Sequence, residues 1–276
     1  MSFIQRLAVG AVLFLLMNLP AFAADNFVVG VAPHTSARVI LEMYQPLRQF
    51  LEQNLGRPVD IVTAPDFNEF ARRALAQQYD LAITTGQQAR LLQTDANYLP
   101  LLTYKADFKA VVLVAANGQI KKPSDLKGKN VLGLSPTSQV TLWGQHWLKE
   151  NRVESLPVTF VSASDSVAQL VVAGDAAAGF TSLANYQKLT PEMRPQLRVL
   201  AESPNMPGRV YMLNARQKGL QKKIDTILWK FAATPEAKKY FSDNKLEGYR
   251  KLKAKELNTM DNYAAEVRNI LKKSDK

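Results

Sequence analysis

The densest cluster of groups able to do chemistry is the loop Ser135-Pro136-Thr137-Ser138-Gln139, which follows a short apolar run at 131–134 and leads into a helical pattern from Val140. A helix start preceded by Ser and Thr gathers unsatisfied N–H donors and the positive end of the helix dipole, an arrangement that suits an oxyanion. The same residues also suit an ordinary N-cap. Thr137, Ser138 and Gln139 are therefore the first candidates for ligand contact. Catalysis has less to work with. The chain has no cysteine and two histidines, His34 and His146, neither beside an evident nucleophile, and it lacks the Gly-x-Ser-x-Gly, HExxH and Walker patterns. No enzyme, metal site or cofactor is expected, because two separated histidines without a tight carboxylate cluster do not make a coordination shell.

Further polar groups fall where strands end and helices begin. Thr84 and Thr85 follow a strand pattern at 80–83, and either ligand or local turn backbone could take their hydrogen bonds. Thr181 and Ser182 follow another at 177–180, and 162–166 precedes a helical pattern. In that segment Asp165 could cap the helix or touch a ligand. His34, just after the first strand pattern, could edge a cleft or sit in a loop. His146 lies between Trp143 and Trp147, where a packing role is expected.

The elements that position these groups alternate. A β-rich run at 27–31 precedes an amphipathic helix carrying Ile40, Met43, Leu47 and Leu51, which Gly56 ends. A strand at 59–62 leads to Asp66 as N-cap of a helix with Phe67, Phe70 and Ala74 on one face. A second βα series starts after 123–125, and runs at 198–200 and 210–213 carry the chain back. Alternation of this kind predicts mainly parallel α/β sheets, here in two lobes between which the chain crosses twice, leaving a cleft bordered by strand C-termini and helix N-termini. The expected division is 24–114 with 208–276 for the first lobe and 115–207 for the second.

Residues 1–23 read as a leader. Arg6 is their only charge, the apolar run 7–19 is short for a membrane span, and Ala21-Phe22-Ala23 predicts cleavage after Ala23 and export to a periplasm. The formal net charge is +11, or +10 without Arg6. The basic residues are scattered as local pairs such as Lys222-Lys223, with no nucleic-acid motif, so they read as a solvated surface.

An ordered set of short segments resembles the phosphate/phosphite/phosphonate substrate-binding proteins of ABC transporters. It comprises Val29-Gly30 to Pro33, Tyr44-Gln45-Pro46-Leu47, Tyr79-Asp80-Leu81-Ala82, Asp125-Leu126-Lys127-Gly128-Lys129, Ala173-Gly174-Asp175, Leu200-Ala201-Glu202-Ser203-Pro204 and Glu247-Gly248-Tyr249. The resemblance implies a type II periplasmic-binding fold, two α/β lobes joined by two crossover strands, that closes by a hinge on a small ligand, with an inner-membrane permease as partner. A membrane sensor kinase or cyclase is the alternative partner, and the chain is expected to be a monomer. It also implies that the anion sits on the loop holding Thr137 and Ser138. Phe67 stands where the family has an anion-contacting tyrosine, Phe108 holds the aromatic position of the first crossover strand, and Asp165 replaces a histidine of the aminoalkylphosphonate binders. Simple phosphonates are therefore expected to bind poorly.

Overall fold

The computed structural model describes residues 26–274 apart from positions 155 and 162, so the expected leader, its cleavage site and Ser162 lie outside the described residues. Strand β1 (Phe27–Val31) is followed by helix α1 (Ala37–Leu55), which buries Ile40, Tyr44, Leu47 and Leu51 and ends at Gly56 with φ 73°. That left-handed turn is where a side chain would be strained. Strand β2 (Val59–Val62) leads to helix α2 (Phe67–Leu75), whose first N–H groups, those of Asn68 and Glu69, donate to the Asp66 carboxylate. Strand β3 (Leu81–Thr85), helix α3 (Gly86–Asp95) and strand β4 (Leu99–Tyr104) complete the first series.

Strand β5 (Ala110–Ala115) opens the second series, which continues through β6 (Val131–Gly133), α4 (Gln139–Glu150), β7 (Thr159–Phe160), α5 (Ser164–Ala173), β8 (Ala178–Ser182), the short α6 (Leu183–Gln187) and β9 (Leu197–Glu202). The chain returns through β10 (Arg209–Leu213), α7 (Gln221–Ala232), α8 (Pro235–Asp243), β11 (Tyr249–Arg250) and α9 (Asp261–Ser274).

These strands make two sheets. The first has six strands in the order β11-β4-β10-β3-β1-β2 and the second five in the order β7-β6-β8-β5-β9. Both are mixed rather than mainly parallel: β1 runs parallel to β2 and β3, whereas β10 is antiparallel to β3 and β4, and β5 is antiparallel to β8 and β9. The reversals fall where the chain changes sheet, because a strand arriving directly from the other sheet needs no helical crossover and can enter in the opposite sense.

The change of sheet occurs at 105–109 and 203–208, where Phe108 and Met206 form an isolated antiparallel bridge. The first crossing thus precedes the expected boundary at 114/115: the whole apolar strand β5 pairs in the second sheet. Each sheet is covered by its own apolar clusters. One further cluster joins Ala71 and Leu91 with Leu142 of α4 and with Ala264, Val267 and Leu271 of α9, so the C-terminal helix packs on both halves.

Candidate ligand-binding site

A cavity of about 350 Å³ lies between the two sheets, walled by both crossing segments and by the starts of α2, α4 and α5. Its size is within the range of small-molecule pockets, about 300–1,000 Å³. Arg209 is its most unusual wall residue. As the first residue of β10 it pairs with Thr85 at the end of β3, which brings its side chain to the cavity from the second crossing. Nη1 donates to His34 Nε2 at 3.0 Å and to the Tyr44 hydroxyl at 3.3 Å, and the guanidinium carbon lies 5.3 Å from the Tyr104 ring centroid. Among the described residues no carboxylate pairs with it. Burial works against its charge, but the surrounding tyrosine oxygens, Tyr44 first, outweigh burial and hold its pKa above the usual guanidinium value.

His34 serves this cation as an acceptor. Its Nδ1 lies 2.9 Å from the Ala32 carbonyl, which can only accept, so the proton is on Nδ1 and Nε2 is free to receive the Arg209 N–H. Burial, then the Arg209 charge, push its pKa well below the usual histidine value, so the ring stays neutral.

Behind the guanidinium, Tyr104 bonds Tyr211 at 2.9 Å and Tyr240 at 2.6 Å, and Tyr211 bonds Tyr249 at 2.7 Å. These hydroxyls bond one another rather than Arg209, so they surround the cation with dipoles and add no negative charge.

A second cation enters from the other half. Lys188, at the end of α6, donates to Asn244 Oδ1 at 2.6 Å, and its pKa falls to about 8, through burial first and then repulsion by Arg209. Two other ionised wall groups have partners: Lys109 bonds Glu202 at 3.1 Å, and Asp107 accepts from Asn205 at 2.6 Å.

Seven of the ten residues singled out from sequence reach this one cavity: His34, Phe67, Thr85, Phe108, Ser138, Gln139 and Asp165. Thr85 Oγ1 is buried there with no hydrogen-bond partner among the described residues. Asp165 is exposed in the first turn of α5; the N-cap is Ala163, so the carboxylate does not cap that helix, and it acts on Lys188 by supporting its charge.

The other three do not line the cavity. Thr84 donates to Gln88 Oε1 at 2.8 Å, and Thr181 is buried in β8 without a hydroxyl partner among the described residues. Thr137 is fully buried and donates to Asn68 Oδ1 at 2.6 Å, while its carbonyl accepts from Gln87 Nε2 at 2.9 Å.

The loop 135–139 is in fact a clasp between the halves. Gln139 accepts from the Gly86 N–H at 3.0 Å and donates to the Pro207 carbonyl at 3.1 Å. Gly86 permits this approach, since a Cβ there would lie 2.5 Å from the Pro207 oxygen. Ser138 caps α4 by accepting from Thr141 N–H, and its hydroxyl donates to Thr141 Oγ1 at 2.8 Å. Beyond Ser138, the first turn of α4 reaches the cavity at Gln139 and Val140, whose N–H groups have no intrahelical acceptor.

Arg209 and Lys188 had no place in the reading of the sequence. The signal available for Arg209 was local: a single cation after Pro207-Gly208 heading the apolar run 210–213. His146, by contrast, has the packing role expected, bonding Glu266 at 2.6 Å and stacking on Tyr263.

Known proteins share this architecture. PhnD1 from Prochlorococcus marinus (MIT 9301), solved with methylphosphonate, superposes with a TM-score of 0.79 at 15% identity, covering 88% of this chain and 98% of that one. XAC2383 from Xanthomonas citri, bound to ATP, gives 0.73 at 18% identity over 90% and 98%. The aliphatic sulphonate binding protein SsuA from Escherichia coli gives 0.63 at 15% identity over 89% and 92%. These identities carry the fold alone, and no curated protein matches the sequence. The family model described as ABC transporter, phosphonate, periplasmic substrate-binding protein matches residues 29–257, most of the chain. The chain therefore belongs to the family of phosphonate ABC-transporter periplasmic substrate-binding proteins.

Proposed function

We propose that the protein captures a small organic anion in the cavity between its sheets, closes about the two crossing segments and presents the closed form to an ABC permease. The single observation that carries the ligand's charge is Arg209, a guanidinium on the cavity wall without a carboxylate partner among the described residues. An uncompensated cation in a partly desolvated site is costly unless a ligand supplies the missing charge. Family membership favours transport over a sensor role and places the protein in the periplasm, and it describes a binding protein rather than an enzyme.

In this reading residues 1–23 are a leader removed after Ala23, and the mature chain acts as a monomer of two lobes. One lobe surrounds each sheet, and 105–109 and 203–208 form the hinge. The screen that tests it is thermal shift and calorimetry with organic acids set against neutral sugars and amines. Stabilisation by acids is expected. Tight binding of a sugar or amine, with no response to any acid, would overturn it.

A further inference from the structure

We propose that the ligand is a monocarboxylate on an apolar body, its two oxygens seated side-on against Nε and Nη2 of Arg209. This specificity rests on the anion-binding reading above and narrows it. Nη1 of Arg209 is taken by His34 and Tyr44, whereas Nε and Nη2 make no hydrogen bond to the described residues. Those two nitrogens form the guanidinium edge whose N–H groups point the same way and match two coplanar acceptors. The same chain shows what this edge prefers: Arg268 holds Asp95 through Nε to Oδ2 at 2.6 Å and Nη2 to Oδ1 at 2.7 Å. Arg209, on the cavity wall, has the same edge unengaged among the described residues. Its aromatic support under the ring face and its Nη1 contacts fix the guanidinium plane in advance, so little is lost in ordering it.

Charge selects a monoanion. The ionised wall groups are Lys109, Lys188, Arg209 and Lys245 against Asp107 and Asp165. With Lys109 engaged by Glu202, one positive charge is left over. A dianionic phosphonate would reverse that balance. It would also ask for a third set of donors, and the Thr137 and Ser138 hydroxyls already have internal partners in Asn68 and Thr141, leaving Thr85 Oγ1 as the buried unpartnered hydroxyl among the described wall residues.

Volume and lining select the body. At about 30 Å³ per water in the liquid, the cavity has room for about a dozen water-sized groups, far more than acetate or a methyl-substituted acid fills. Met43, Phe67, Phe108, Leu134 and Leu246 give the remainder an apolar surround.

The experiment is calorimetry on the mature protein with a matched series: phenylacetate, hexanoate and acetate for size, and benzylphosphonate and phenylmethanesulfonate for the acid group. Phenylacetate or hexanoate is expected to bind at least tenfold tighter than acetate and than either tetrahedral acid. Arg209→Lys, which keeps the charge and loses the paired edge, is expected to lose at least tenfold for the carboxylate. Benzylphosphonate or the sulfonate as tightest ligand would overturn the carboxylate assignment and leave the anion-binding reading standing. Failure of every acid in the series would overturn the assignment too, and a neutral sugar binding in their place would remove both.

Discussion

Arg209 makes a trade between function and stability that can be measured at a single position. Two charge-assisted hydrogen bonds to a bound acid, at about 1.5–3 kcal/mol each, make Arg209→Gln at least about 100-fold weaker in binding. The fold should barely notice, because the change removes a desolvated cation with no carboxylate partner; a Tm within about 4 °C of wild type is expected in the empty protein. Lys188 adds a pH dependence. Its pKa of about 8 leaves it charged below that pH and increasingly neutral above it. An anion favours the charged form, so affinity should be highest below about pH 8 and fall as pH rises through it. Calorimetry across that range should show this decline, and Lys188→Met should flatten it. Neither cation was legible in the sequence, for one reason: a lone Arg or Lys among many scattered basic residues carries no spacing that marks it. Only the pairing of Arg209 with Thr85, and the burial it brings, distinguishes it. The hydroxyl-rich loop at 135–139 was legible, and the structure gives its side chains other partners.

The element-scale consequence concerns that loop and the start of α3. Thr137 and Gln139 join the two halves beside the second crossing, and Gly86 is the point of closest approach. In Gly86→Ala the new Cβ meets backbone at 2.5 Å, so the clasp must shift, and chemical denaturation should show a loss of about 1–3 kcal/mol. Thr137→Ala with Ser138→Ala should likewise cost stability, about 0.5–2 kcal/mol for the cap and more for the Asn68 oxygen, which keeps only the 3.4 Å bond from the Ser135 hydroxyl, yet reduce affinity less than Arg209→Gln does. Helix α2 and its Asp66 cap, or α1 with its terminal Gly56, could be read from apolar spacing and end signals. Strand β4 could not. Its Pro100 argues against a strand, but β11 runs beside β4 only at Thr103 and Tyr104, leaving Pro100 beyond that short ladder. Helix α3 was also hidden, since residues 86–95 carry Gly, three Gln and Arg among few apolar positions.

For the whole molecule, alternation of strand and helix foretold two sheets and two crossings, whereas the sense of the returning strands depended on which sheet each came from. The C-terminal helix adds a constraint that periodicity does not express. Its Val267 and Leu271 share a cluster with Leu91 and Leu142, while Arg268 bonds Asp95 and Glu266 bonds His146. Helix α9 thereby holds both halves, and calorimetric unfolding of the wild type should be one cooperative transition. Leu142→Ala, which opens a hole in the shared cluster, should cost about 2–5 kcal/mol and separate the unfolding of the two halves. In the proposed closure the halves turn about the crossings while this side stays packed, and the Lys188–Asn244 bond spans the opposite side of the cavity. The position of the bound acid tests the account most directly. A crystal structure of the complex with the tightest-binding carboxylate should place its two oxygens within about 3.2 Å of Arg209 Nε and Nη2, with the body among Met43, Phe108 and Leu246. An acid group held instead on the first turn of α4, with those two nitrogens of Arg209 touching only solvent, would contradict it.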